Sequence, residues 1–128
     1  MIVHLDTSAL VATLAEPAGV RQMQAVTMGG DRIALSSIVL FEWLRGPRSA
    51  KQLEITTALF PDDAIVSFDA TAARLAAELY AAVRRPRSRE GDLAIAACAI
   101  EHGAAVWTLN HQDFEDIPGL TLYSPPRP

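Results

Sequence analysis

Short apolar runs alternate along the chain with longer segments of helical pattern. The runs contain compact groups of branched or aromatic residues without strict alternation, which is typical of strands covered on both faces. Strands that alternate with helices favour one parallel sheet with helices on both of its faces. We therefore predict an α/β fold with four to five strands. The predicted strands are "MIVHLD" (1–6), "RIALS" (32–36), "AIVSF" (64–68), "AAVWTLN" (104–110) and "LTLYS" (120–124).

The predicted helices are delimited by residues that commonly begin and end helices. Serine, threonine or aspartate precedes several of them, and proline or glycine follows. The long helix after Asp69 is rich in alanine, the best helix former. A polar, basic loop, "RRPRSREG" (84–91), separates the last two helices. The predicted helices cover about 7–16, 18–28, 38–45, 49–60, 70–85 and 92–102.

Polar side chains follow two of the predicted strands. Asp6 comes directly after the first strand, and Thr108, Asn110 and Asp113 follow the core of the fourth. In open α/β sheets, ligands bind outside the carboxyl ends of the strands, where the strand order reverses. We therefore expect a functional site at this edge of the sheet.

Two further acids lie in unexpected places on helices. Glu42 stands in "IVLFEWLR", where apolar residues fall on every side, so we expect this helix to be largely buried. A buried, unpaired carboxylate is costly, and Arg45 at position i+3 is an alternative partner for it. Asp92 begins a helix, where an acid also interacts favourably with the helix dipole. Equally, Asp6 can be a helix cap and Asp113 a solvated loop acid.

Taken together, the four acids indicate a metal site. A pair of carboxylates ~5 Å apart repels by on the order of 3 kcal/mol at an effective dielectric near 20, so such a cluster needs a compensating cation. Oxygen ligands without a cysteine or histidine cluster suit Mg²⁺ or Mn²⁺. A hard divalent ion beside an open cleft is typical of enzymes that cleave phosphodiester bonds.

The composition is that of one globular domain covering 1–128, with half of the residues hydrophobic and 20% charged. The formal net charge of -4 argues mildly against nucleic-acid binding except through a local basic patch. The loop arginines and Arg45 are the candidate nucleic-acid contacts, although plain solvation or an acidic partner remains an alternative. The loop arginines are Arg84, Arg85, Arg87 and Arg89.

The remaining sequence signals concern the protein's environment. Cys98 is the only cysteine and lies among apolar residues, so we expect a small buried side chain. His4, inside the first strand, is expected to be a hydrogen-bonded core residue. No signal peptide or membrane span is evident, and a reducing, cytoplasmic setting is expected.

Three segments carry a resemblance to the PIN-domain family, and most closely to VapC toxins of bacterial toxin–antitoxin pairs. They are "LDTSAL" (5–10), "SSIVLFEWLRG" (36–46) and "GDLAIAACAIEHGAAVWTLNHQDF" (91–114). The resemblance implies an Mg²⁺- or Mn²⁺-dependent endoribonuclease that leaves 5′-phosphate and 3′-hydroxyl ends. It assigns metal binding and catalysis to Asp6, Glu42, Asp92 and Asp113, with Asn110 as a supporting group or the alternative fourth position. Hydroxyl groups of Thr7, Ser8 and Thr108 would support the site.

The resemblance also implies partners. We expect RNA as substrate, a homodimer, and a VapB-like antitoxin whose tail covers the groove. The resemblance implies that the antitoxin carries the DNA-binding part. Nothing in the chain resembles a helix-turn-helix with a basic recognition helix, so we expect no direct, specific DNA binding by the chain itself. The alternatives are a housekeeping RNA-processing PIN nuclease and a catalytically silent PIN interaction module. A flavodoxin-like receiver domain fits less well, since the one lysine, Lys51, is not late in the chain.

Overall fold

The computed structural model describes residues 1–127, which form a five-stranded parallel sheet with helices packed on it. The predicted α/β fold is confirmed. The strands are β1 (Ile2–Leu5), β2 (Arg32–Ser36), β3 (Ile65–Val66), β4 (Ala105–Trp107) and β5 (Thr121–Leu122). Their order in the sheet is β3-β2-β1-β4-β5. A short 3-10 turn at Asp62–Ala64 leads into β3, and another at His111–Asp113 follows β4. The helices are α1 (Thr7–Ala15), α2 (Pro17–Met28), α3 (Ser37–Arg45), α4 (Ala50–Leu59), α5 (Ala70–Ala82) and α6 (Glu90–Glu101).

The strand order reverses next to β1, the central strand. Val3 pairs with Ile33 of β2 on one side and with Ala105 of β4 on the other. The chain therefore builds outwards from β1 to β3 and then returns to the opposite side of β1. The crevice favoured for ligands lies at the carboxyl ends of β1 and β4. The Asp6 N–H donates to the Trp107 carbonyl at 3.0 Å, which continues the pairing to the edge of this crevice.

Helix α6 runs through the core. Seven successive residues, 93–99, are buried, and four of them are alanines. A helix that is apolar on all sides is buried on all sides, and α6 contacts α3 and α5 as well as β2 and β4. Its amino-terminal turn emerges at the crevice. Asp92 is thus placed by one of the most deeply packed elements of the fold.

The predicted elements are confirmed in number and order, with differences at their ends. The third strand covers two residues instead of 64–68, and α6 begins two residues earlier than expected. Helix α5 ends before Val83, and the loop that follows holds Arg85 and Ser88 at φ values of 50° and 68°. Non-glycine residues seldom adopt this left-handed conformation, so the loop has a specific shape.

The prediction that α3 is largely buried is wrong. Only Val39 and Trp43 are buried, whereas Phe41 is 62% and Leu44 56% exposed. The helix packs one face inward, and its apolar outer face has no covering element within residues 1–127. A sequence pattern shows which positions are apolar but does not show whether the same chain covers them.

Two predictions about buried side chains are confirmed. Cys98 is buried, and burial raises the pKa of its thiol to about 11. His4 is fully buried, with its Nε2 2.7 Å from Nδ1 of His102. Burial and the neighbouring His102 lower the pKa of His4 to about 4, so the His4 ring is neutral near pH 7. Among the helices of residues 1–127, none is long and apolar enough to cross a membrane.

Candidate active site

Asp6 lies at the centre of the crevice and is only 3% exposed. Its Oδ1 accepts hydrogen bonds from the Ser8 hydroxyl at 2.7 Å and from the Ala9 N–H at 2.9 Å. Its Oδ2 accepts from the Thr108 hydroxyl at 2.6 Å. Asp6 is therefore the cap of α1, and its second oxygen faces the end of β4. A carboxylate oxygen has two acceptor positions, so capping leaves capacity for a further ligand.

Two hydroxyl groups hold Asp6 between the strand ends. The Ser8 hydroxyl accepts from the Leu109 N–H at 3.1 Å while donating to Asp6. The Thr108 hydroxyl accepts from the Asn110 N–H at 2.9 Å while donating to the other oxygen. Each hydroxyl thus connects the Asp6 carboxylate to the backbone that follows β4. The orientation of Asp6 is fixed from two sides.

Glu42 reaches the same crevice from α3. Its Oε1 accepts a hydrogen bond from the Thr7 hydroxyl at 2.5 Å. A methyl group placed on Gly91 would lie 3.6 Å from Glu42 Oε2, so the carboxylate rests against the first turn of α6. Arg45 places its guanidinium 5.4 Å from the ring centroid of Phe41, and among the described residues it forms no ion pair with Glu42. The alternative of a Glu42–Arg45 pair is therefore not what the structure contains.

The pKa of Asp92 is affected by the other candidate acids. Burial is the largest cause that raises the pKa of its carboxyl group, to about 6, followed by the charges of Asp113, Asp6 and Glu42. Arg89 acts in the opposite direction. All three other candidate acids therefore act on Asp92. The structure thus places near Asp92 three carboxylates that the sequence spreads over residues 6–113.

The fourth acid lies on the loop after β4. Asp113 ends the 3-10 turn and is exposed. Among the neighbouring charges, it has the largest effect on Asp92. Asn110 is also exposed, and the hydrogen bond given above is made by its backbone N–H. Asp113 is therefore the candidate of this loop that places a charge near Asp92, and the choice between Asp113 and Asn110 for the fourth position stays a prediction.

The donor set fits a hard divalent cation. All the converging groups are carboxylate or hydroxyl oxygens, which Mg²⁺ and Mn²⁺ prefer. Within residues 1–127, no three acidic, histidine or cysteine side chains are already placed to ligate one ion directly. Mg²⁺ usually retains several of its waters, so carboxylates that surround a space without closing on one point suit it. Burial is the largest cause of the raised pKa of Asp92, and the repulsion from the neighbouring acids that adds to it is what a cation would relieve.

The loop arginines fall into two groups. Arg84, Arg85 and Arg87 are exposed, as an RNA contact requires. Arg89 is different, because its guanidinium contacts Asp116 at 2.5 and 3.0 Å and the Asp113 carbonyl at 2.9 Å. The structure therefore gives Arg89 an intramolecular role in place of a free phosphate contact. Asp116, its partner, was not recognised from the sequence, since nothing local marks it among the acids of that loop.

Comparison with known proteins agrees with this geometry. Residues 3–120 match the PIN domain. The chain belongs to the PIN-domain family. No curated protein matches its sequence significantly.

Solved structures share the PIN fold over nearly the full length of both chains. VapBC2 of Rickettsia felis, solved with a DNA fragment from its promoter, is 24% identical with a TM-score of 0.73, covering 96% of this chain and 98% of that one. DNA-bound VapBC from Salmonella typhimurium gives 23% identity and a TM-score of 0.72, with coverages of 96% and 97%. VapBC-1 of nontypeable Haemophilus influenzae is 18% identical with a TM-score of 0.73, covering 97% of this chain and 98% of that one. At these identities the likeness establishes the fold.

Proposed function

We propose that this PIN domain is an Mg²⁺- or Mn²⁺-dependent endoribonuclease and the toxin of a type II toxin–antitoxin pair. The observation that carries the proposal is the convergence of Asp6, Glu42 and Asp113 on Asp92, whose pKa is raised to about 6 by burial and, in addition, by the charges of these three acids. This convergence lies at the strand-order reversal of a PIN fold. The same fold in several VapBC complexes supports the toxin assignment.

Each residue has a distinct task in the proposed reaction. Asp6, Glu42, Asp92 and Asp113 would hold the cation. Ser8 and Thr108 orient Asp6, and Thr7 orients Glu42, through the hydrogen bonds described above. When bound, the cation would activate water for attack on the scissile phosphate and stabilise charge on the leaving oxygen. Because Asp92 has a raised pKa, cation binding near neutral pH would release part of a proton from it.

The substrate would be bound by the exposed arginines. Arg84, Arg85 and Arg87 lie on the loop that leads to Asp92, and Arg45 lies on α3 near Glu42. Phosphate contacts of this kind position a strand without reading its sequence. A chain with a formal net charge of -4 needs such a local patch to attract RNA.

We further propose a VapB-like antitoxin and a homodimer as the protein partners. The exposed apolar side chains of Phe41, Leu44 and Leu53 on α3 and α4 support a protein contact, because single chains seldom leave such groups together in solvent. DNA binding would belong to the antitoxin. The chain itself would then contact DNA only as part of that complex.

Cleavage of a structured RNA by the wild type and Asp6→Asn tests the proposal. Asparagine retains a side-chain oxygen that can cap α1 but lacks the charge that a cation requires. We expect cleavage by the wild type with Mg²⁺ or Mn²⁺, none with EDTA, and none by Asp6→Asn. Asp63→Asn, an exposed acid before β3, is the matched control and should cleave normally.

The other outcomes distinguish the alternatives. Equal activity in wild type and Asp6→Asn would identify a contaminating ribonuclease and contradict the proposal. Wild-type protein that binds no Mn²⁺ and cleaves no RNA would favour the silent interaction module. Specific cleavage that leaves growth unaffected when the chain is expressed alone would favour a housekeeping RNA-processing nuclease over a toxin.

A further inference from the structure

Arg89 forms the one ion pair between two side chains found among residues 1–127. Its Nη1 donates to Asp116 Oδ2 at 3.0 Å and to the Arg84 carbonyl at 2.8 Å. Its Nη2 donates to Asp116 Oδ1 at 2.5 Å and to the Asp113 carbonyl at 2.9 Å. One guanidinium therefore joins two loops that are far apart in sequence.

The position of Arg89 in the chain makes this contact important for the site. Arg89 is the residue directly before α6, and its carbonyl accepts from the Leu93 N–H at 2.9 Å, so its backbone is fixed by the core helix. Asp92 follows three residues later on that helix. The guanidinium thus connects the rigid element that carries Asp92 to the exposed loop that carries Asp113.

Asp113 itself is exposed and ends a three-residue 3-10 turn. The next residue, Phe114, is buried in the core and anchors the loop there, while Arg89 is the side chain that joins the loop to α6. Asp6, by contrast, is fixed by three hydrogen bonds from other residues. The side chain of Arg89 is 16% exposed, in contrast to the exposed arginines at 84, 85 and 87. Its bidentate geometry with a carboxylate is one that lysine cannot reproduce.

We infer that Arg89 is a positioning residue, which holds the Asp113 loop against the first turn of α6 so that Asp113 and Asp92 face the same cation. The inference rests on the proposed metal site and deepens it. Arg89 itself touches neither the cation nor the RNA in this role. It acts through the backbone of Asp113 and the side chain of Asp116.

The direction in which the Mn²⁺ affinity changes on removal of Arg89 distinguishes positioning from a simple charge effect. Arg89 is positive, so its charge alone repels a cation, and its removal would strengthen Mn²⁺ binding on electrostatic grounds. Loss of positioning would weaken Mn²⁺ binding. The two explanations therefore predict opposite directions for Arg89→Gln.

The experiment is Mn²⁺ titration of the RNA-free protein by calorimetry. We expect Arg89→Gln to weaken Mn²⁺ binding by about 10- to 100-fold, the range typical of groups that orient metal ligands. Arg74→Gln is the control, the same substitution at an exposed arginine of α5 outside the proposed site, and it should change the affinity by less than about twofold. Tighter or unchanged binding by Arg89→Gln would overturn the inference.

A double-mutant cycle tests whether Arg89 acts through Asp113. In an Asp113→Asn background, Arg89→Gln should cause little further loss of Mn²⁺ affinity, because the positioned charge is already absent. A full additional loss would show that Arg89 acts in some other way. Should Arg89→Gln fail to fold, Arg89→Lys serves instead, since it keeps the positive charge but cannot reproduce the bidentate contact, so only loss of positioning predicts weaker Mn²⁺ binding. If the wild-type protein itself binds no Mn²⁺, the proposed function is contradicted. If the wild type and the variant bind Mn²⁺ equally, only the inference about Arg89 is contradicted.

Discussion

The two ends of the acidic cluster are held in different ways. Asp6 is buried and fixed by Ser8, Thr108 and the Ala9 N–H, all of which belong to segments adjoining the sheet. Asp113 is exposed, and its loop is held by the buried Phe114 next to it and by Arg89, which joins the loop to α6. The Asp6 carboxylate is therefore part of the folded core, whereas the Asp113 carboxylate lies at the surface.

The largest expected effect comes from removing the carboxylate at each end in turn. Asp6→Ala should lower the free energy of unfolding by about 1–2 kcal/mol in metal-free buffer, because it removes a helix cap and leaves the Thr108 hydroxyl without its acceptor. Asp113→Ala should change it by less than about 0.5 kcal/mol, as is usual for an exposed position. Urea denaturation of the two variants measures the difference. Equal losses would contradict the distinction between the two ends.

Removal of the Thr108 hydroxyl tests whether the orientation of the Asp6 carboxylate is required for cation binding. Thr108→Val conserves the shape of the side chain but removes the hydrogen bond to Asp6. We expect Mn²⁺ affinity to fall by about tenfold or more, because the orientation of the Asp6 carboxylate is lost. Thr71→Val, an exposed threonine on α5, is the control. Calorimetry that finds the same Mn²⁺ affinity in both variants would show that Ser8 alone orients Asp6.

The raised pKa of Asp92 predicts that the stability of the metal-free protein depends on pH. Burial and the neighbouring acids raise the pKa of its carboxyl group from 3.8 to about 6, so the native state binds this proton more tightly than the unfolded state does. The resulting stabilisation is present below about pH 4 and is lost as the pH rises through about 6. Allowing for solvent screening at a half-buried site, the change amounts to about 1–2 kcal/mol.

Asp92→Asn isolates this contribution. In EDTA, the free energy of unfolding of the variant minus that of the wild type should increase between pH 4 and pH 7. At pH 7 the variant should be as stable as the wild type or more stable, because the repulsion is relieved. A large loss of stability at pH 7 would instead support the interpretation that Asp92 serves the helix dipole. Excess Mn²⁺ should stabilise the wild type and not the variant.

The smallest expected effect belongs to the exposed loop arginines. Replacing Arg84, Arg85 or Arg87 singly by glutamine should weaken RNA binding a few-fold and reduce the salt slope of single-stranded RNA binding by about 0.7. Mn²⁺ affinity should not change. An unaltered salt slope would exclude that arginine as a phosphate contact. RNA titrations at several salt concentrations, with catalysis blocked by Asp6→Asn, provide the measurement.

The sequence predicted the parts of the fold that depend on local pattern. Asp6 was found because it directly follows a buried strand, and Glu42 because an acid stands among apolar neighbours. The role of Arg89 was not found, since its partner Asp116 lies 27 residues away and nothing nearby distinguishes Arg89 from Arg87. The exposure of Phe41 and Leu44 was missed for a related reason. Both properties depend on which groups of the folded protein lie next to the side chain. The pattern of apolar and polar residues along the chain does not carry that information.

The central place of β1 has a consequence for the order of events during synthesis. Thr108, which fixes Asp6, is 102 residues further along the chain. At a translation rate of about 5–20 residues per second, some 5–20 s pass before the ribosome adds it. Until then β1 lacks β4, and the crevice lacks one side. An incomplete nascent chain therefore cannot possess the proposed activity, which would arise only when the chain is almost complete.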